Sequence, residues 1–298
     1  MSIKQSFRKR VISSQTARLS QPAAWTTNLG MSFLHHNSNG SAMTASATAN
    51  SPGAWVQYIA SNAISANDTI AALHFVGVGN NQIAGTDNSM LMDIGTGAAG
   101  SEVIVAQNIA VGGAFNSGGI GPNFTLPVRI PGATRVACRV RAATGSRILT
   151  LSRFIASASA LRFADRLPTQ LDTLGTSTAS STGTAMSGSS GSWTEITGST
   201  AADYQALVLI PSGPGSSSAA TSTFFRLDLG IGAAGSEQAV AAYYGLLNSN
   251  GGVGIDSPSV LTNIYGGFVP AGSRIAVKHN LAANPERLTA CVIGVPYV

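Results

Sequence analysis

Charged residues are scarce in this sequence. Asp, Glu, Lys and Arg make up 10% of its 298 residues, whereas soluble domains usually have about a quarter. Hydrophobic residues reach 44%, and small residues supply much of the rest. This composition favours extended strands with uncharged loops. It also favours surfaces that pack against other subunits, because few charges would need desolvation there. No apolar run is long enough to span a membrane, so we expect no membrane insertion.

Cysteine is also rare. Cys138 and Cys291 are the only two in the sequence, which is too few for a disulfide framework. Both lie in apolar runs typical of strands. We therefore expect buried thiols at both positions.

A recognisable catalytic set is missing as well. The four histidines show no metal-ligand spacing with Cys, Asp or Glu, and neither a nucleophile elbow nor a pair of catalytic carboxylates is present. His279 has the same strand parity as Val277, which predicts a core position. We therefore expect no enzyme activity, no cofactor and no metal.

No acidic residue precedes Asp68, so the start of the chain is strongly basic. Five basic residues there equal the whole net charge of +5. The segment lacks the apolar core of a secretory signal, while an Arg- and Ser-rich transit peptide and a disordered tail are alternatives. We predict an extended arm over residues 1–28 that docks on a partner. The candidate docking residues in the arm are Lys4, Phe7, Arg8, Lys9, Arg10 and Val11.

What the sequence does have is a ten-residue motif that occurs twice. Residues 93–102 read DIGTGAAGSE and residues 228–237 read DLGIGAAGSE, so eight of the ten positions are identical. Flanking segments match too, with Trp55 corresponding to Trp193 and Pro131 to Pro270. A tandem duplication is the simplest cause.

The glycines of this motif spell GxGxxG, the dinucleotide-binding fingerprint. That fingerprint needs a following helix and an acidic residue about twenty positions on, but a β-branched run follows here. We therefore predict a glycine turn between two strands, with Asp93 and Asp228 accepting hydrogen bonds from its backbone. The predicted turn glycines are Gly95, Gly97 and Gly100 in the first copy and Gly230, Gly232 and Gly235 in the second.

Calcium binding at the turn is a weaker alternative. Asp93 with Glu102, and Asp228 with Glu237, would offer two carboxylates per turn. Calcium takes about six to eight oxygen ligands. We therefore keep the expectation that the motif holds no metal.

Alternating apolar and polar residues predict strands through most of the chain, with glycine turns and no helical period. About seven strands per copy favour a jelly-roll-like β-sandwich. We predict an all-β protein of two tandem duplicated sandwiches, with Trp55 and Trp193 buried between the sheets. The expected units are the arm over 1–28, sandwiches over 29–156 and 175–298, and a linker over 157–174 with a short helix.

Three arginines share one face of a predicted strand. Arg135, Arg139 and Arg141 have the parity opposite to the apolar residues between them. The face is either solvated or in contact with an acidic neighbour, so these arginines are further candidate docking residues. Aromatic residues are too few there for a base-stacking platform, and nucleic acid is not expected.

The order of these motifs resembles a module of tailed-bacteriophage virion structural proteins. The residues that carry the resemblance are Leu174, Gly175, 193–196, 228–237 and 270–274, and the similarity covers roughly 29–155 and 175–298. The first copy departs from the pattern at Val56 and Gln57. The resemblance implies a non-enzymatic β-rich building block of a tail, fibre or head surface, such as a capsid decoration. Its partners would be other virion proteins and copies of itself, and the basic arm lies outside the resemblance.

A carbohydrate-binding module that recognises host glycans is the main alternative. Such a module needs exposed aromatic rings, but only 6% of the residues are aromatic. Trp55 and Trp193 hold repeat positions that are expected in the core. An enzyme is a third class, which a hydrolase screen would address.

Overall fold

A computed structural model describes residues 32–34, 42–81, 90–111, 123–159, 164–175, 183–186, 190–212, 223–248, 254–256, 264–281 and 288–298. Within these ranges the chain forms four antiparallel sheets and one short 3₁₀ helix. The predicted all-β sandwich-type fold is therefore confirmed. The candidate docking residues of the arm lie outside the described residues, namely Lys4, Phe7, Arg8, Lys9, Arg10 and Val11.

The first repeat contributes two sheets. Its strands are β1 (Ser32–Leu34), β2 (Ala42–Thr44), β3 (Val56–Ile59), β4 (Thr69–Asn81), β5 (Met90–Thr96), β6 (Val103–Ala110), β7 (Phe124–Pro131), β8 (Val136–Ala142) and β9 (Ile148–Ser159). One sheet has the order β1-β9-β4-β7, with β2 also paired to β9, and the other has the order β3-β8-β5-β6.

The second repeat has the same pairing order. Its strands are β10 (Asp172–Leu174), β11 (Thr184–Ala185), β12 (Trp193–Thr197), β13 (Tyr204–Ser212), β14 (Thr223–Ile231), β15 (Gln238–Asn248), β16 (Gly254–Asp256), β17 (Ile264–Tyr265), β18 (Ile275–His279) and β19 (Thr289–Pro296). The sheets run β10-β19-β13-β17, with β11 on β19, and β12-β18-β14-β15-β16. Among the described residues, this repeats the first pair of sheets strand for strand, with β16 as a further strand at one edge.

Alternation with a period of two directs apolar side chains between the sheets of each sandwich. In the first core Phe75 stacks on Phe124, with ring centroids 4.7 Å apart. In the second core Phe225 stacks on Tyr243, with centroids 5.9 Å apart. The other expected core positions are buried as well, namely Cys138, Cys291 and His279, and both cysteines are free thiols.

The sheet β10-β19-β13-β17 is buried on both faces. Leu207 and Leu209 of β13 belong to the core of the second sandwich. The alternate residues of β13 and β19 belong instead to one buried cluster with the first repeat, and these are Ala206, Val208, Ile210, Cys291, Ile293 and Val295. This face contacts β6 and β7, which are edge strands of the first sandwich. The two repeats therefore share a continuous apolar interior.

The segment 157–174, predicted to be a linker, has strand at both ends. β9 continues to Ser159, and β10 already begins at Asp172. A 3₁₀ helix spans Ala164–Arg166, inside the segment for which a short helix was predicted. Asp165 pairs with Arg129 of β7 at 3.2 Å, and the N–H of Arg129 donates to the carbonyl of Pro168. The segment is thus fixed to the first sandwich, and the unit boundaries stay a prediction.

Candidate functional site

The duplicated motif forms a turn at the end of β5 and again at the end of β14. Gly97 and Gly232 have φ of +111° and +134°, and Gly100 and Gly235 have φ of +83° and +79°. Residues with a Cβ rarely adopt these conformations. This is the physical reason that glycine stands at the four positions.

Glu102 closes the turn of the first repeat. One carboxylate oxygen accepts a hydrogen bond from the N–H of Gly100 at 3.0 Å, and the other accepts one from Nη1 of Arg135 at 2.8 Å. Burial raises the pKa of Glu102, but the hydrogen bonds from Arg135 and the backbone and the charge of Arg135 outweigh it. Together they lower the pKa below its ordinary value of 4.5. The turn-binding role predicted for Asp93 and Asp228 is therefore wrong, because Glu102 performs it in the first repeat and both aspartates instead bind cations of their own sheets.

This arrangement explains why the fingerprint does not form a nucleotide site. In nucleotide sites, N–H groups at a glycine turn and a helix N-terminus bind phosphate. Here the strand β6 follows the turn. The carboxylate of Glu102 already accepts the hydrogen bond from the N–H of Gly100. An outside anion would have to displace a carboxylate that is already paired with Arg135.

The side chain of Asp93 is buried on the outer face of β5. Its negative charge is balanced by two arginines of the neighbouring strand β8. Its Oδ2 accepts hydrogen bonds from Nε of Arg139 and Nη2 of Arg141, both at 2.9 Å. Its Oδ1 accepts one from the N–H of Asn108 at 3.0 Å. Because Arg139 lies directly opposite Asp93 in the pairing of β5 with β8, the ladder itself brings the charges together.

The second repeat forms the same ion-pair network around its aspartate, but one of the two cations lies on a different strand. Asp228 lies opposite Lys278, as Asp93 lies opposite Arg139, and the Lys278 Nζ is 3.5 Å from its Oδ2. The second cation is Arg226, two residues earlier on β14, whose Nε is 2.6 Å from Oδ1 of Asp228. Each repeat therefore keeps a buried acid with two cations, although the second cation comes from a different strand.

Arg135 and Arg274 occupy the same place in the two repeats. Nε of Arg135 donates to Oε1 of Gln57 at 2.9 Å. Nε of Arg274 donates to Oε2 of Glu195 at 2.7 Å, and its Nη1 donates to Oε1 of Glu237 at 2.6 Å. Each arginine thus joins an edge strand to the glycine turn.

The two repeat tryptophans lie on the outer faces of their sheets, so the prediction that they are buried between sheets is wrong. Trp55 covers Gly95, and a Cβ added at Gly95 would stand 2.8 Å from its Cη2. The guanidinium carbon of Arg139 lies 4.4 Å from the indole centroid on this face. Trp193 covers Gly230 in the same way, and a Cβ there would stand 2.5 Å from Cη2. Gly95 and Gly230, predicted to lie in the turn, are therefore strand residues, and their missing Cβ leaves room for an indole ring.

Three of the candidate docking residues are described, and all three have partners within the chain. Arg135 pairs with Glu102, while Arg139 and Arg141 pair with Asp93. An acidic neighbour is therefore not required to compensate these arginines. Their docking role stays a prediction.

The second repeat carries exposed aromatic rings that the repeat motifs do not predict. Phe224 and Tyr244 are 80% and 52% exposed, and they lie on the neighbouring strands β14 and β15. Arg226 is directly opposite Tyr244, with its guanidinium carbon 5.8 Å from the ring centroid. Elsewhere Phe268 and Tyr297 form an exposed edge-to-face pair, with centroids 6.0 Å apart. The exposure of Phe224 could be predicted from strand alternation, because the residue after it lies in the core and neighbouring strand residues point to opposite faces.

The described ranges contain neither a metal-ligand cluster nor a membrane-spanning helix. Among these residues, no three His, Cys, Asp or Glu side chains lie close enough together to hold a metal ion. The same residues include no helix of the length and apolarity needed to cross a membrane.

Comparison with known proteins gives only weak structural similarity. No family model matches the chain, and no curated protein matches it. A crystal structure of peptide-N(4)-(N-acetyl-β-D-glucosaminyl) asparagine amidase is 10% identical, with a TM-score of 0.23, over 87% of this chain and 97% of that chain. A recombinant PNGase F is 11% identical, with a TM-score of 0.26, over 87% and 96%. PNGase F of Flavobacterium meningosepticum is 12% identical, with a TM-score of 0.24, over 88% and 91%. At these TM-scores the similarity carries no argument about function.

Proposed function

We propose that this protein is a non-enzymatic structural component of a tailed-phage virion, used in a tail, fibre or head-surface part. The resemblance of its repeated motifs supports this role. The observation that carries the proposal is that, in both repeats, the acidic residues of the motif are paired with cations of the same repeat. Glu102 and Glu237 each link the glycine turn of their repeat to an arginine. Asp93 and Asp228 bind cations of the same sheet. The motif therefore stabilises a sheet.

The continuous apolar interior supports the same role. Interfaces between domains of one chain are often polar and allow relative motion. Here apolar residues of β13 and β19 join the buried cluster of the first repeat, which holds the two sandwiches together as one unit. Such a unit presents its outer faces at a constant spacing, as repeated subunits of a particle must.

The basic arm is proposed to dock the protein on its neighbours. Exposed ion pairs contribute only about 0–1 kcal/mol each. Many copies on a symmetric particle would raise the total through avidity. The arm would therefore matter for incorporation into the particle and not for folding of the sandwiches.

Localisation on purified particles tests this proposal. Particles from cells that carry the gene are analysed by mass spectrometry and labelled with an antibody against the protein for electron microscopy. We expect the protein in the particle fraction, with the label at one defined place. Protein that remains entirely in the unassembled fraction would contradict the virion role.

A carbohydrate-binding module for host glycans is the alternative, and the exposed pair of Phe268 and Tyr297 favours it. Exposed rings offer apolar faces to a ligand, and tyrosine adds a polar group. Binding to a glycan array that disappears in the double variant Phe268→Thr/Tyr297→Thr would support this alternative. An array without any bound glycan would count against it.

A further inference from the structure

Residues 166–175, which lead into the second repeat, bind the edge of the first sandwich at β6. The N–H of Leu171 donates to the carbonyl of Val105 at 2.8 Å. Oγ1 of Thr173 donates to the carbonyl of Gln107. The side chain of Leu171 is 5% exposed and belongs to the core of the first sandwich. This segment therefore covers an edge strand, which could otherwise pair with another chain.

The contact uses a β-bulge that both repeats have. In the pairing of β5 with β6 the extra residue is Val105, and in the pairing of β14 with β15 it is Val240. A bulged residue is left out of the ladder of its strand pair, so its carbonyl can accept a hydrogen bond from another segment. Leu171 uses the bulge of the first repeat in this way. The second repeat offers the same acceptor at Val240.

The bulge of the second repeat lacks this cover among the described residues. On that side of β15, β16 pairs with residues 246–248, and no other described strand pairs with the part around Val240. Val105 is 3% exposed, whereas Val240 is partly buried against the second core. We call the side of β15 around Val240 the β15 edge. The first repeat shows what kind of segment such an edge binds.

A second contact of the 166–175 segment also has a counterpart. The N–H of Arg129 donates to the carbonyl of Pro168 at 2.8 Å. Phe268 corresponds to Arg129, because each stands two residues before the matched proline of its repeat. Phe268 is 59% exposed, and its ring contacts the exposed ring of Tyr297. An apolar surface therefore lies where the proline of a similar segment would pass.

The basic arm contains a segment with the same sequence pattern. Residues 18–30 read RLSQPAAWTTNLG, and the segment bound to β6 reads RLPTQLDTLG. Both begin with Arg-Leu and end with Leu-Gly. Both have a proline that is followed by an apolar residue three positions later and by threonine five positions later. Trp25 thus corresponds to Leu171 and Thr27 to Thr173, although residues 18–30 lie outside the described residues.

We propose that residues 18–30 of one copy bind the β15 edge of a second copy, as residues 166–175 bind β6 within the chain. The N–H of Trp25 donates to the carbonyl of Val240, and the indole covers the apolar edge. Thr27 takes the place of Thr173 on the same strand. This is recognition of a strand edge by an extended segment, in which main-chain hydrogen bonds are combined with pockets for side chains.

The order of the repeats determines that the partner is a second copy. Within the chain, the segment before the second repeat binds the first repeat. The segment before the first repeat therefore makes the same step to the second repeat of another molecule. The contact joins two different surfaces, so it gives head-to-tail rings or filaments. This inference rests on the proposed building-block function and deepens it by naming the surface and the partner.

Sedimentation velocity of the purified full-length protein at rising concentration tests the contact. The monomer has a mass of 30.2 kDa, and we expect a series of larger species. The arm variant Leu19→Asp/Trp25→Asp should be monomeric with an unchanged melting temperature, because it alters no residue of the described sandwiches. The edge variant Val240→Lys should also be monomeric, because a charge on an edge strand opposes pairing.

Mixing the two variants gives the sharpest result. The arm variant keeps an intact β15 edge, and the edge variant keeps an intact arm. We therefore expect a single species of twice the monomer mass, since only one contact can form per pair. The matched control is Gln238→Lys, which places the same charge on an exposed position of β15 outside the contact. This control should assemble like the wild type.

Three results would overturn the contact. They are a wild type that is monomeric at every concentration, an arm variant that assembles like the wild type, and two variants with wild-type melting temperatures that do not associate when mixed. Each result is obtained with the purified protein alone. Failure here is therefore distinguishable from failure of the virion role, which the particle labelling decides.

Discussion

Gln57 and Glu195 act as the same hydrogen-bond acceptor in the two repeats. Each accepts a hydrogen bond from the Nε of its repeat's arginine, at 2.9 Å from Arg135 and at 2.7 Å from Arg274. The position at which the first copy departs from the module's motif is therefore a functional replacement. An amide oxygen serves where the second copy has a carboxylate, because the arginine needs only an acceptor there.

This equivalence predicts that the exchange of acceptor is mild. Glu195→Gln and Gln57→Glu should each change the free energy of unfolding by less than about 1 kcal/mol, because exposed ion pairs are worth little. Arg274→Met should lower the melting temperature far more, since it leaves the covered carboxylate of Glu237 without its cation. Denaturant unfolding of the three variants measures the difference. Equal losses in all three would contradict this reading of the network.

The contact of Trp193 with Gly230 predicts a strongly coupled pair. Gly230→Ala should cost about 1–3 kcal/mol, because the added methyl group overpacks the indole. In a Trp193→Ala background the same change should cost nothing or stabilise, since alanine is about 0.5–1 kcal/mol better than glycine inside a strand. A double-mutant cycle by thermal or urea unfolding isolates this coupling. Additive effects would mean that the ring does not rest on the glycine in solution.

The lowered pKa values of Glu102 and Glu237 predict acid destabilisation. For Glu237 too, burial raises the pKa. Backbone hydrogen bonds and Arg274 outweigh this and lower it below 4.5. A depressed folded-state pKa contributes stability that is present above the unfolded value and lost as the pH falls through the folded value. Melting temperatures should therefore fall as the pH drops below about 4.5.

The matched control for this titration is the double variant Glu102→Gln/Glu237→Gln. It should be less stable at neutral pH and should show a flatter loss of stability in acid, because neither residue can be protonated. A variant whose acid profile has the slope of the wild type would assign the pH dependence to other groups.

Deletion of residues 2–24 tests the basic arm. The truncated protein should melt at the temperature of the full chain, because the arm lacks the apolar periodicity needed to build a core. It should fail to enter particles, because the arm is proposed to anchor it. Thermal melts and the protein content of purified particles measure the two effects. Normal incorporation would move docking to the sandwich faces.

The fold class and the repeat could be predicted because both depend on local sequence. Alternation of apolar and polar residues predicts strands, and a ten-residue motif with eight identical positions predicts two similar turns. The position of Trp55 could not be predicted in the same way, because it depends on which strand lies beside it. Only the pairing of β3 with β8 places the ring over Gly95 and under Arg139.

The sequence itself indicates that one sheet is buried on both faces. Residues 206–210 are uniformly apolar, and continuous apolar runs are typical of strands covered on both sides. What the run cannot reveal is the identity of the second cover. That cover is the first repeat itself, about a hundred residues away along the chain.

Because this sheet is buried on both faces, the two repeats depend on each other, which matters for evolution and for protein engineering. If the gene were cut between the repeats, the first half would expose the apolar side of β6 and β7, and the second half would expose Val208 and Ile293. Neither half would be a stable module to transplant, although the two should recombine when produced together. The duplicated unit is one repeat, but the unit with a fully covered core is the pair.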